Sequence, residues 1–313
     1  MSPTAEVIAF VFGLIALGYA AGRTGYLKAE LGEALSDFCV AVAVPLLLFR
    51  TMVNTEFGDV APWALWATYF SAVAVAWTVG HFVTTRLFMR EQRAGIVGGV
   101  ASAFSNLVLL GIPFFLGAFG QEGFAILSLL ISIHLPVMTG VSMLLLEWSS
   151  RGAAARPATV LMALLRNLVR NPIIIGILAG LLLRMTGLPL PNVATRLIDA
   201  LANVAAPVAL FAIGLSLLRF GISGNVRNAL AIASIKLFLM PAVALVVAKL
   251  LGLPELTAKV AVMAAALSSG VNPFLIASQF GVGQALASNA TTVSTGFAVL
   301  SIAFWLTVVQ LAF

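Results

Sequence analysis

Apolar residues run along this chain in long blocks, with polar residues confined to short gaps between them. Five stretches carry no Asp, Glu, Lys or Arg: Val60–Thr85, Ala94–Gln121, Gly123–Leu146, Ala200–Leu218 and Val260–Phe313. Each of the first four suits one membrane-spanning helix of about 20 residues. The last would be about 80 Å long as a single helix, so it predicts two spans turning near Gly281, Gly283 and Gln284. Together with the Gly, Pro and Asn turns, the blocks predict ten spans near 5–22, 31–53, 62–87, 94–119, 122–147, 170–186, 194–218, 226–250, 256–280 and 284–312. Ile8–Ala21 reads as the first span and not as a cleaved leader, because Met1–Ala5 carries no Lys or Arg and Glu6 stands where a basic segment belongs.

Composition agrees with the pattern. Apolar residues make up 61% and charged residues 9% of the 313, against roughly 25% charged in a soluble domain. The solvent of this fold is therefore a lipid bilayer. Net charge is +6, but the basic residues sit in loops at span ends, as topology requires, so nucleic acid is not an expected partner. Eleven basic residues between Arg23 and Arg227 flank odd-numbered loops, and four (Arg184, Arg196, Lys249 and Lys259) flank even-numbered ones. Both termini are thus expected outside, with the protein multi-pass in the plasma (bacterial inner) membrane. Arg50, near the end of the second span, is expected to snorkel to the headgroups. Cys39 is the only cysteine, which excludes an internal disulfide.

A longer connection at 148–169 reads as a cytoplasmic linker with an interfacial helix. It separates five spans in 1–147 from five in 170–313. At an offset of 162 residues, Gly18–Phe49 aligns without gaps on Gly180–Phe211, matching Gly18 with Gly180, Gly25 with Gly187, Asp37 with Asp199, Pro45 with Pro207 and Phe49 with Phe211. Chance apolar similarity does not produce Gly, Asp and Pro matches in one register. Duplicating an odd number of spans inverts the second copy, so the fold class expected is an all-α polytopic membrane protein of two inverted five-helix repeats. Secondary transport is the function such an architecture favours.

Repeated transporters hold substrate where helices are interrupted, because a break exposes backbone groups that an intact helix consumes. Two breaks occupy matching positions. The fourth span carries Ser105, Asn106, Gly111 and Pro113, and the ninth carries Ser268, Ser269, Gly270, Asn272 and Pro273. Proline removes a helical hydrogen bond and glycine weakens helical persistence. A helix N-terminus freed there suits a carboxylate, beside neutral donors and acceptors from Asn and Ser. A packing kink explains one such break; two at mirrored positions favour a substrate site.

Four further residues are candidates for charge or coupling. Lys236 lies deep in the eighth span, where an ionisable group marks a functional site by default. It either balances an anionic substrate or pairs with a carboxylate such as Asp37 or Asp199. His134 lies mid-span before Pro136, as a hydrogen-bonded imidazole or a proton carrier. Asp37 and Asp199 stand near helix starts, where complementing the dipole competes with a cation or proton role. No metal site and no cofactor is expected, beyond a coupling ion left open between proton and sodium. The sequence holds no HExxH, CxxC, GxSxG or P-loop, so an enzyme is not expected.

The string Ser-Asn-Leu-Val-Leu-Leu-Gly-Ile-Pro over 105–113 resembles the Asn-to-Pro motif of the auxin efflux carrier family, which includes plant auxin carriers and bacterial carboxylate transporters. Val-Ala-Val-Pro-Leu-Leu-Leu-Phe (42–49), Arg-Asn-Pro-Ile-Ile-Ile-Gly (170–176), Ile-Lys-Leu-Phe-Leu-Met-Pro (235–241) and Gly-Val-Asn-Pro-Phe (270–274) are similar to it too. The resemblance implies ten helices with the broken fourth and ninth crossing at Pro113 and Pro273 to form the substrate site. It also implies a dimerising scaffold from helices 1, 2, 6 and 7, and an elevator-like transport domain from 3–5 and 8–10. The substrate it implies is a small organic anion; a non-transporting receptor and a sodium symporter similar to bile-acid carriers are the alternatives. Ser268 and Ser269 replace the Pro and Gln of plant members, and the plant carriers' long central loop is absent.

Overall fold

The computed structural model describes residues 3–54, 62–151, 162, 166, 169–218 and 226–313, and every regular element among them is a helix. In chain order these are α1 (Pro3–Arg23), α2 (Leu31–Phe38), α3 (Val44–Asn54), α4 (Pro62–Phe82), α5 (Gln92–Ala103), α6 (Ile112–Arg151) and α7 (Pro172–Thr186). They continue with α8 (Asn192–Asn203), α9 (Ala205–Ser216), α10 (Val226–Ser234), α11 (Met240–Leu250), α12 (Glu255–Ala266), α13 (Asn272–Phe280) and α14 (Gln284–Ala312). Most of the 148–169 linker, including its expected interfacial helix, lies outside the described residues.

Wider π turns occur at Cys39–Ala43, Val83–Leu87, Leu107–Gly111 and Ile235–Leu239. Three of them end two residues before a proline, at Pro45, Pro113 and Pro241. A proline ring collides with the carbonyl four residues earlier, and a widened turn moves that carbonyl aside. Three of these π turns therefore follow from proline positions.

Among the described residues, seven helical stretches are long and apolar enough to cross a membrane: Ala5–Arg23, Leu31–Asn54, Pro62–Leu87, Gln92–Ser150, Asn192–Ser216, Val226–Leu250 and Gln284–Ala312. The chain is a multi-pass membrane protein. The 59 residues of Gln92–Ser150 exceed one crossing, and Gly120 interrupts them with φ 64° and ψ −159°. The bounds at 62–87, 226–250 and 284–312 coincide with those expected from the apolar runs.

The helices form two compact units, each drawn from both halves of the chain. The first takes Met1–Val60, Leu107–Ser132 and Leu165–Arg219; the second takes Ala61–Asn106, Ile133–Leu164 and Phe220–Phe313.

In the first unit α1 packs on α9 and α3 on α7. Both contacts run through glycines that admit the neighbouring backbone. A Cβ on Gly18 would strike the Phe211 carbonyl, and one on Gly180 would meet the Phe49 carbonyl. Gly18 and Gly180 align in the repeat, as do Phe49 and Phe211, so one contact occurs twice with the halves exchanged. In the second unit α4 lies along α5, with Gly80 against Ser102 and Gly98 against Thr84. Residues 94–103 of α5 and 260–266 of α12 are buried all round. Small, charge-free sequences are what such encased helices require.

Leucine at Gly18 or Gly180 should cost about 1–3 kcal/mol by forcing packed backbones apart. Leucine at Gly13, which has nothing within 4 Å of its would-be Cβ, should leave the melting temperature of the detergent-solubilised protein unchanged.

Candidate functional site

Two helices of the second unit stop inside it. The last cap of α5, Phe104, turns to ψ 136°, and that of α12, Leu267, turns to ψ 157°. Each half-helix thus ends in a non-helical segment, 104–106 and 267–271 respectively. A break inside a membrane protein leaves carbonyls and amides that no water answers, so other protein groups must.

The two breaks answer each other. The Asn106 backbone N–H donates to the Ser268 carbonyl at 2.8 Å. The Ser269 hydroxyl donates to the Ala101 carbonyl of α5 at 2.9 Å. Helix α14 supplies the rest: the Ser294 hydroxyl accepts from the Ser269 N–H at 3.2 Å, and the Thr291 hydroxyl donates to the Gly270 carbonyl at 2.7 Å. Gly270 has φ 72°, and a Cβ there would stand 3.1 Å from the Asn106 Cβ. Backbone conformation and available space both call for glycine here.

The structure therefore brings Ser105, Asn106, Ser268, Ser269 and Gly270 together. Asn106 and Asn272 are half-buried, while Ser105, Ser268 and Ser269 are buried. The Ser268 hydroxyl, with no exposed surface, has no hydrogen-bond partner among the described residues. Asn272 and Pro273 open α13, with the Phe274 N–H bonded back to Val271. Gly111 and Pro113 belong to the first unit, both buried, at the end of a π turn and in the first turn of α6.

Lys236 is fully buried, and its ammonium donates to the Ala265 carbonyl in the last turn of α12 and to the Met240 sulfur at 3.3 Å. A cation at a helix C-terminus is electrostatically matched to the dipole. Neither Asp37 nor Asp199 is its partner. Next to it, Pro241 has no N–H for the Leu237 carbonyl four residues back. Trp305 Nε1 at 2.8 Å and the Ser301 hydroxyl at 3.0 Å donate to that carbonyl instead. Ser301 also reaches the Ala266 carbonyl at 3.3 Å. One end of the paired breaks is thus capped by a hydroxyl and the other by an ammonium.

His134 is buried, with the Tyr69 hydroxyl 3.3 Å from its Nδ1 and the Phe104 ring against it edge-on, centroids 4.7 Å apart. It therefore packs directly on the break after α5. Asp37 is exposed on α2. Asp199 pairs with Arg50 at 3.0 Å, and Arg50 also donates to Asn203 at 2.9 Å. Arg50 accordingly has protein partners where headgroup snorkelling was expected. The half-exposed pair is worth about 1 kcal/mol or less. Among the described residues no group of three or more His, Cys, Asp or Glu is placed to hold a metal ion.

Sequence reasoning missed Tyr69, Thr291, Ser294, Ser301 and Trp305. A signal was present: Ser288-Asn289-Ala290-Thr291-Thr292-Val293-Ser294-Thr295 is a polar run inside an apolar span. The carbonyl orphaned by Pro241 likewise required donors from elsewhere.

Such an arrangement, a multi-pass helical fold whose interrupted helices seal each other's backbone, is that of a membrane transport protein. Residues 3–306 match the family model described as "Membrane transport protein", and the chain belongs to this family, that of the auxin efflux carriers. A Rhizobium meliloti protein named "Putative malonate transporter" is 27% identical over 296 residues, covering 93% of this chain and 91% of its own. The "Probable auxin efflux carrier component 1d" of Oryza sativa is 29% identical over 156 residues, 46% of this chain and 28% of its own. The mouse "Lysosomal cholesterol signaling protein" is 25% identical over 255 residues, 78% of this chain and 28% of its own.

Replacing Lys236 by Met should leave the Ala265 carbonyl unpaired and cost about 1–3 kcal/mol. Thermal unfolding without substrate measures this. Ser301→Ala should cost less, because Trp305 still serves the Leu237 carbonyl.

Proposed function

We propose that the protein is a secondary transporter of a small organic anion, a carboxylate of the malonate class, which binds where the breaks after α5 and α12 meet. One observation carries this reading: the two non-helical segments are bonded to each other through Asn106 and Ser268, and the buried Ser268 hydroxyl beside that bond is left without a partner. A polar group desolvated without a hydrogen bond is costly unless a ligand supplies one. The N-terminal end of α13, with half-buried Asn272, adds the partial positive charge that a carboxylate favours. The Rhizobium relative's name suggests the dicarboxylate, and the shared Gly-to-carbonyl contacts of the first unit support ten spans in two inverted repeats.

In this reading transport is of the elevator type. The second unit, which gathers both breaks, Lys236 and His134, carries the substrate, and α1–α3 and α7–α9 of the first unit serve as scaffold in a homodimer. The protein sits in the plasma membrane with both termini outside. Lys236 sets a positive potential near the site from its place at the end of α12. Replacing sodium at fixed pH and voltage separates sodium coupling from proton coupling or potential-driven movement.

A second reading, a receptor that binds such a ligand without moving it, is favoured by the signalling protein among the relatives. Proteoliposome counterflow decides between them: a transporter exchanges labelled malonate, and a receptor binds it without exchange.

Asn106→Ala should lower uptake about tenfold or more, the loss expected for one hydrogen bond to a charged group, with the melting temperature retained. Unchanged uptake in this variant contradicts the site.

A further inference from the structure

A cavity of about 420 Å³ lies within the second unit, away from the breaks, between the last turns of α4, the start of α5 and the end of α6. Trp77, Ile96, Leu145 and Trp148 form its apolar wall, and His81, Gln92 and Ser149 are among its polar lining residues. Trp77 is held in place by α5: a Cβ on Gly99 would meet its indole. Trp77 shares the cavity lining with Leu145 and Trp148 of α6.

The surroundings indicate an occupant. Phe82 at the end of α4, Leu87 in the π turn after it, and Val141 and Leu144 on α6 are exposed large apolar residues, so this surface faces hydrocarbon. The segment from α4 to α5 carries Arg86 and Arg90, both exposed, with Glu91 as its one carboxylate. Trp148, exposed to 63%, has the placement of an interfacial tryptophan at a helix end. Apolar walls, amphipathic aromatics and a basic edge form the complement of a lipid with a negatively charged headgroup.

We infer that this cavity binds one anionic phospholipid, its acyl chain between Trp77 and Trp148 and its phosphate at Arg86 and Arg90. The seat belongs to a single unit and uses none of the residues assigned to the transported substrate. It is therefore independent of the transport reading.

Tryptophan quenching by phospholipids brominated on their acyl chains tests this in the full-length protein reconstituted in phosphatidylcholine vesicles. Brominated phosphatidylglycerol should quench at lower mole fraction than brominated phosphatidylcholine, by about fivefold for each arginine engaged. The Arg86→Gln/Arg90→Gln double variant should abolish this preference, and so should Ser149→Phe, which fills the mouth at an exposed position. Equal quenching by the two lipids means annular lipid only and overturns the inference. So does a preference that survives either variant.

Discussion

In hydrocarbon a broken helix has no water to satisfy it, so the break must be completed by another part of the protein. The hydrogen bond from the Asn106 N–H to the Ser268 carbonyl is where this chain meets that constraint. Two half-helices end in non-helical segments, and each segment supplies what the other lacks. Once the two are joined, the positions of α14, Lys236 and His134 follow. Ser294 and Thr291 complete the second segment, Lys236 neutralises the end of α12, and His134 with Phe104 packs on the first. An interrupted helix is tolerable here because its neighbours were selected to absorb it.

The two halves meet this requirement by different chemistry. The α5 end is served by a serine hydroxyl from the opposite break, and the α12 end by a buried ammonium. At the repeat offset, Ala74 stands where Lys236 would recur. A basic side chain on one side only makes the paired breaks asymmetric. The packing in the first unit is more symmetrical, with the same glycine-to-carbonyl contact formed once by Gly18 and once by Gly180.

The helices at 62–87, 226–250 and 284–312 were legible because a long apolar run with few charges marks a crossing. The breaks were legible because proline and glycine act through the backbone, whose response is local. Gly270 was legible for the same reason, as its positive φ is a property of one residue. Partners were not legible. Nothing near Asp199 in sequence points to Arg50, and Lys236 gives no sign that it would find a carbonyl 29 residues away at Ala265. Long-range pairs depend on which helix faces meet. Apolar runs without amphipathic periodicity do not encode facing, since lipid and core select the same residues.

The paired breaks are the proposed substrate site. Hydrogen exchange of the reconstituted protein, with and without malonate, tests it most directly. Bound substrate should slow exchange of the backbone amides in 104–106 and 268–275 together, because both segments contribute to the proposed site. Protection confined to other helices, at malonate concentrations that saturate counterflow, would contradict it.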